Sequence, residues 1–141
     1  MYEAFNRRDL PALLEQLHPE IEASSPDDLE FAALMLRLLG PRFVVLLGSY
    51  RGKEEVRRLF EAMWAISEHF AVEPEEYVEL EEGIVVVLTM RARSLDAGIE
   101  GEVRIAHGWT FADEKAITLR LFADRDRAAS ALRKSGSGAE E

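Results

Sequence analysis

A chain of 141 residues has room for one domain with one continuous core. Its 48% apolar and 31% charged residues are the balance of a folded globular chain and exclude a disordered one. The net charge of −10 opposes approach to a phosphate backbone and excludes nucleic acid; the absence of cysteine excludes disulfides, thiolate chemistry and cysteine-bound zinc. No apolar run is long enough to span a membrane and no basic-then-apolar leader opens the chain, so no membrane partner and a cytoplasmic location are expected.

Tyr2 to Arg8 reads as the end of a helix that begins before Met1. Asp9 caps a second helix, in which Leu10, Leu13, Leu14 and Leu17 recur at helical spacing. Pro11 falls in its first turn, where a missing N–H does no harm, and Pro19 stops it. Ile21 to Ser24 is a short strand. Ser25-Pro26-Asp27-Asp28 then supplies a hydroxyl cap, a proline at the first helical position and acids facing the positive end of the dipole. The helix it starts is predicted to reach about Leu39, ended by Gly40-Pro41. An exposed apolar face would invite association, so Phe31, Leu34, Met35 and Leu38 are expected either to roof a cavity or to bury themselves in a homodimer contact.

Arg42 to Leu47 reads as a strand and Gly48 to Gly52 as a loop. Lys53 to Phe70 is the longest predicted helix, with Val56, Leu59, Phe60, Met63, Ser67 and Phe70 along its core-facing stripe and Trp64 in the core or an interface. The hydrophobic period then falls to two. Val72 to Leu80, Ile84 to Ser94, Ile99 to Phe111 and Ala116 to Asp124 read as four antiparallel strands in hairpin succession. Glu73, Glu75, Glu76, Glu79, Glu81 and Glu82 read as a solvated edge strand and turn, without the spacing of a calcium loop. Asp124 is placed to cap a short final helix, Arg125 to Arg133, and Ser135 to Glu141 is expected to be a disordered tail. Residues 1 to 134 thus read as one domain, with a helical segment at about 26 to 41.

Helices first and a strand meander last give an α+β fold in which a curved, mainly antiparallel sheet wraps around the N-terminal helices, packed on one face. The cone-shaped space between them is a natural ligand site. Alternation puts Val103, Ile105, His107, Trp109 and Phe111 on the inner face, together with Ile84, Val86, Leu88, Met90 and Ala92 of the preceding strand. Arg91 and Arg93 then point outward to pair with glutamates, unless a bulge turns them into the pocket. His107 is the candidate catalytic residue, because an imidazole can donate, accept or titrate near neutrality. The blander reading is a core histidine tied to a backbone carbonyl or buried hydroxyl. Ser25, Phe60, Met63, Met90, Ile105 and Trp109 are the candidate pocket wall. Burial should lower the His107 pKa. His18 and His69 are placed at helix ends on the surface, and no His/Asp/Glu trio has metal-ligand spacing, so no metal is expected.

Four stretches, Tyr2 to Leu10, Gly48 to Gly52, Ala106 to Phe111 and Phe122 to Arg127, resemble the SnoaL-like family of the nuclear-transport-factor-2-like superfamily over nearly the whole chain, apart from residues 26 to 47. The resemblance implies the cone-shaped fold, a homodimer and a small apolar or polycyclic ligand, with no cofactor. The superfamily holds isomerases, cyclases, dehydratases, epoxide hydrolases and non-enzymatic binders. Set against ketosteroid isomerase, the proton-abstracting aspartate corresponds to Ser25, the helix tyrosine falls near Met1 or Tyr2, and the oxyanion-donating acid falls on His107. The Arg-x-Asp pair of limonene epoxide hydrolase meets Arg91-Ala92-Arg93, which lacks the acid. The expectations are a cofactor-free isomerase- or cyclase-type enzyme, a non-catalytic binder, or an assembly domain.

Overall fold

A computed structural model of the protein describes residues 1–26, 28–40, 46–94, 98 and 100–139. In chain order the elements are α1 (Tyr2–Asn6), α2 (Leu10–Glu15), β1 (Leu17–Ser24), α3 (Leu29–Leu39), β2 (Ser49–Arg51), α4 (Gly52–Ala65), β3 (Ser67–Glu79), β4 (Ile84–Ser94), β5 (Glu100–Ala112), β6 (Lys115–Phe122) and α5 (Arg125–Ala139). The strands form one open sheet in the order β2-β1-β6-β5-β4-β3. Every neighbouring pair is antiparallel except β1 with β6, so the fold is α+β as the residue pattern requires.

The meander follows the period of two. Across β4 and β5, Met90 faces Val103, Leu88 faces Ile105, Val86 faces His107 and Ile84 faces Trp109. Leu121 and Leu119 of β6 continue the last two rows. Partners in register share a face, so these residues make one apolar inner surface. On the outer face Arg91 bridges Glu73 and Glu102, Arg104 pairs with Glu75, and Arg125 with Glu76. Half of the six clustered glutamates therefore neutralise arginines across the sheet. Arg93 is also outward and exposed, donating from Nε to the Gly98 carbonyl at 3.1 Å.

Asn6 fixes α1 to β3 by imitating a strand. Its Nδ2–H donates to the Val72 carbonyl at 2.8 Å, and its Oδ1 accepts from the Val72 N–H at 2.8 Å. Asp9 caps α2, accepting from the Ala12 N–H at 3.2 Å. Met1 stands at the N-cap position of α1 rather than inside a helix, its carbonyl accepting from the Phe5 N–H.

Several expectations are corrected. α2 ends at Glu15, and Leu17 opens β1, which runs through Pro19. The proline is tolerated because the β1–β6 ladder is irregular between Leu17 and Glu22, so no pairing N–H is lost. The cap of α3 is Asp28 rather than Ser25, its carboxylate accepting from the N–H groups of Glu30 and Phe31. Ser49 to Arg51 forms an edge strand where a loop was expected. The predicted strand from Arg42 falls largely outside the described residues, and Leu46 and Leu47 are not in a strand. α4 stops at Ala65, and Ser67 to Phe70 belong to β3, where Ser67 and Glu68 pair with Ser94 and Arg93. His69 sits at the following bulge with φ 53°, exposed, and His18 lies in β1 beside Asp113 rather than at a helix end. A further bulge, between Thr110 and Phe111, breaks the inner-face alternation and leaves Phe111 half exposed.

The final helix also departs from expectation in extent and in side. It continues to Ala139, past the predicted end at Arg133, and Glu140 and Glu141 lie outside the described residues. Asp124 does cap it, accepting from the Arg127 N–H at 2.9 Å. Its Ala128 and Leu132 bury against Val85, Ala106 and Phe122, all outward-facing, so the helices are not confined to one face. Gly108 permits this: a Cβ there would meet Phe122 at 3.1 Å and Leu132 at 3.4 Å.

α3 closes the inner side. Phe31, Met35, Leu38 and Leu39 are buried inside their own chain, each contributing about 1.5–3 kcal/mol, while Leu34 is half-buried. Trp64 is part of the same core, packed on Phe5 and Phe60.

Candidate functional site

His107 and Trp109 are two residues apart on β5, so both side chains rise from the inner face of the sheet. α1 crosses above them, held by the Asn6 clamp, and its first residue Tyr2 reaches both. The Trp109 Nε1–H donates to the Tyr2 hydroxyl oxygen at 2.8 Å. That oxygen lies 2.9 Å from His107 Nδ1. The tyrosine and imidazole rings stack at 5.7 Å with an interplanar angle of 18°, and the indole stands edge-on to both.

Donor chemistry orders this chain. An indole N–H can only donate, so the Tyr2 oxygen is an acceptor towards Trp109. The Tyr2 hydroxyl proton then has His107 Nδ1 as its acceptor among the described residues, which leaves Nδ1 bare and puts the imidazole proton on Nε2. Burial raises the Tyr2 pKa, so its hydroxyl keeps that proton. Burial likewise holds the His107 pKa down at about 3, so the ring is neutral at physiological pH. Nε2 has no protein partner among the described residues. The relay runs from Trp109 through Tyr2 to His107 and ends in an N–H, each bond polarising the next.

The space beside His107 is a pocket of about 70 Å³ enclosed by α1, α3, α4, β1 and the sheet. The seven residues singled out from the sequence, His107, Ser25, Phe60, Met63, Met90, Ile105 and Trp109, all lie in its wall. No Asp, Glu, Lys or Arg does, among the described residues. Ser25 is present but engaged: its hydroxyl oxygen accepts from the Gly48 N–H at 2.8 Å and its O–H donates to the Gly48 carbonyl at 3.4 Å, closing the loop onto β1. It is therefore not a free proton relay. All four methionines of the chain, Met1, Met35, Met63 and Met90, line the pocket, which gives it an unbranched, deformable wall.

Tyr2 is the functional candidate that residue patterning missed. A tyrosine at the first turn of a short helix carries no periodic signal, and the resemblance to ketosteroid isomerase located it only to within one position. Arg91 and Arg93 stay on the outer face and do not reach the pocket. Among the described residues no group of three His, Asp or Glu side chains is placed to hold a metal, and no helix is long and apolar enough to cross a membrane.

Known proteins place this geometry in context. An NTF2-like protein of unknown function from Burkholderia pseudomallei is 29% identical, with a TM-score of 0.69 over 94% of this chain and 88% of that one. TerC, co-crystallised with polyporic acid, is 23% identical with a TM-score of 0.68 over 93% and 90%. A protein of ketosteroid isomerase-like fold from Catenulispora acidiphila, in complex with trimethylamine, is 10% identical with a TM-score of 0.67 over 86% and 79%. No curated protein matches the chain. The sequence profile of the SnoaL-like domain matches residues 1–119, most of the chain, and the protein belongs to that family.

Proposed function

We propose that the chain binds a small, uncharged, mostly apolar molecule through a carbonyl-type oxygen, which accepts a hydrogen bond from His107 Nε2–H. The observation that carries this reading is the ordered relay from Trp109 through Tyr2 to a neutral imidazole at an apolar pocket. A neutral donor in such a pocket favours an acceptor oxygen and gives no ionic reward to a carboxylate or ammonium ligand. Two proteins of the same fold have been crystallised with small molecules, polyporic acid and trimethylamine, in keeping with ligand binding as a use of this architecture. Size restricts the ligand. An apolar cavity of about 150 Å³ is known to hold benzene, so a pocket of about 70 Å³ suits a few heavy atoms rather than a polycycle.

Binding is favoured over turnover. An N–H donor stabilises a developing oxyanion, as isomerase- or cyclase-type chemistry requires, but that chemistry also needs a proton acceptor, and among the described residues no carboxylate lines the wall. The test is a titration with acetone, cyclopentanone and acetophenone, each ¹³C-labelled at the carbonyl. Acetone has four heavy atoms and is expected to bind in the millimolar range. Its carbonyl resonance should move downfield in the wild-type protein and stay at its free value in His107→Phe. No downfield shift in the wild type, or an equal shift in both proteins, refutes the reading.

A further inference from the structure

We propose that Phe31 of α3, backed by Met35, is the size-determining residue of this pocket, its stiff ring excluding aromatic rings from the site at His107. The inference rests on the reading above that this pocket is the ligand site, and it names which residue sets its limit. The two side chains are one helical turn apart on the buried face of α3, fully buried, and both line the pocket. They fill the space between α3 and the inner face of β4 and β5.

α3 is held chiefly by its buried face, Phe31, Met35, Leu38 and Leu39. At its start Asp28 caps the helix with its own carboxylate. Arg127 of α5 also reaches across to Glu30 at 2.6 Å and Asp28 at 3.5 Å, an exposed pairing that adds little to that hold. Near its end Leu38 lies against Gly101 of β5, where a Cβ would stand 3.5 Å from the Leu38 methyl. Met1, Met63 and Met90 elsewhere in the wall change rotamer at little cost, whereas the aromatic ring of Phe31 is stiff and limits what enters.

The experiment measures toluene, a ring with no carbonyl, so that size is read separately from the hydrogen bond. Binding is followed by thermal shift, and its place by cross-relaxation from toluene protons to the Trp109 indole protons. Wild-type protein is expected to show neither. Phe31→Ala is expected to show both. Phe31→Leu, which keeps most of the packing and serves if the alanine variant does not fold, should bind toluene tighter than wild type by about tenfold or more, the effect of roughly two newly buried methylene-sized contacts. Toluene contacting Trp109 in the wild-type protein overturns the proposal, as does a folded Phe31 variant that binds toluene without contacting Trp109. The two readings fail differently. Toluene in the wild-type pocket removes the size limit and leaves the carbonyl contact standing. A ketone that binds without a His107-dependent shift removes the carbonyl contact and leaves the size limit standing.

Discussion

His107 is neutral because the Tyr2 and Trp109 rings and the apolar side chains around them exclude water from it, and among the described residues no acid lines the pocket to compensate. Its pKa therefore falls from the ordinary 6.5 to about 3 on folding. Above pH 6.5 the ring is neutral in both folded and unfolded chains and titration has no effect on stability. As pH falls from 6.5 towards 3 the unfolded chain takes up a proton that the folded chain refuses, and stability is lost at up to about 1.4 kcal/mol per pH unit from this residue. Urea unfolding of wild type and His107→Phe at pH 7, 6, 5 and 4 checks this. The stability difference between them should shrink or reverse as pH falls, and parallel curves would show that the imidazole is not shielded. Tyr2 sets the tautomer. In Tyr2→Phe the Nδ1 loses its donor, so the two neutral tautomers should mix and the ring ¹⁵N shifts move towards each other. Unchanged shifts would mean that Tyr2 does not order the relay.

At the scale of elements, α1 is five residues long and too short to persist unaided, so its position depends on what anchors it. The anchor is Asn6, which pairs with the N–H and carbonyl of the buried Val72. Asn6→Ala removes both bonds and is expected to cost about 1–3 kcal/mol in urea unfolding, with loss of the Tyr2–His107 contact. A cost below about 0.5 kcal/mol, the ordinary surface value, would show that α1 is held by its aromatic packing alone. The same element shows where sequence patterning stops. Alternation in β4 and β5 placed Met90, Ile105, His107 and Trp109 correctly, because one face is buried and a strand offers two choices. Helix ends were harder. Leu17 and Ser67 to Phe70 fit the helical stripe of the segment before them, yet pairing with β6 and β4 decides their state, and pairing is a long-range fact that local spacing does not contain. The bulge that turns Phe111 out is of the same kind. The Asn6 motif was legible as a resemblance, but its mechanics, a side chain paired with a strand 66 residues away, required the fold.

On the scale of the whole molecule, both faces of the sheet carry helices, and that shapes how copies of the chain can meet. The apolar face of α3, which without a cover would be an association surface, lies inside its own chain. Part of the outer face is covered by α5, where Ala128 and Leu132 pack on Val85, Ala106 and Phe122. A second copy can meet the buried face of α3 or that patch only by displacing a helix, while the charged rows of β3 to β5 stay open. α5 is held there by packing more than by charge, since its Arg125–Glu76 and Arg127–Glu30 pairs are exposed and contribute little. A chain ending at Asp124 would keep the sheet, the relay and the pocket but uncover the apolar patch around Val85, Ala106 and Phe122. Such a patch, set among the paired charges of β3 to β5, invites a partner of the same kind. The truncated chain is expected to associate in a concentration-dependent way by light scattering, and Val85→Lys placed in it should reverse the association. A truncated chain with the same dispersity as the full one would show that α5 is not the cover that keeps copies apart on this face.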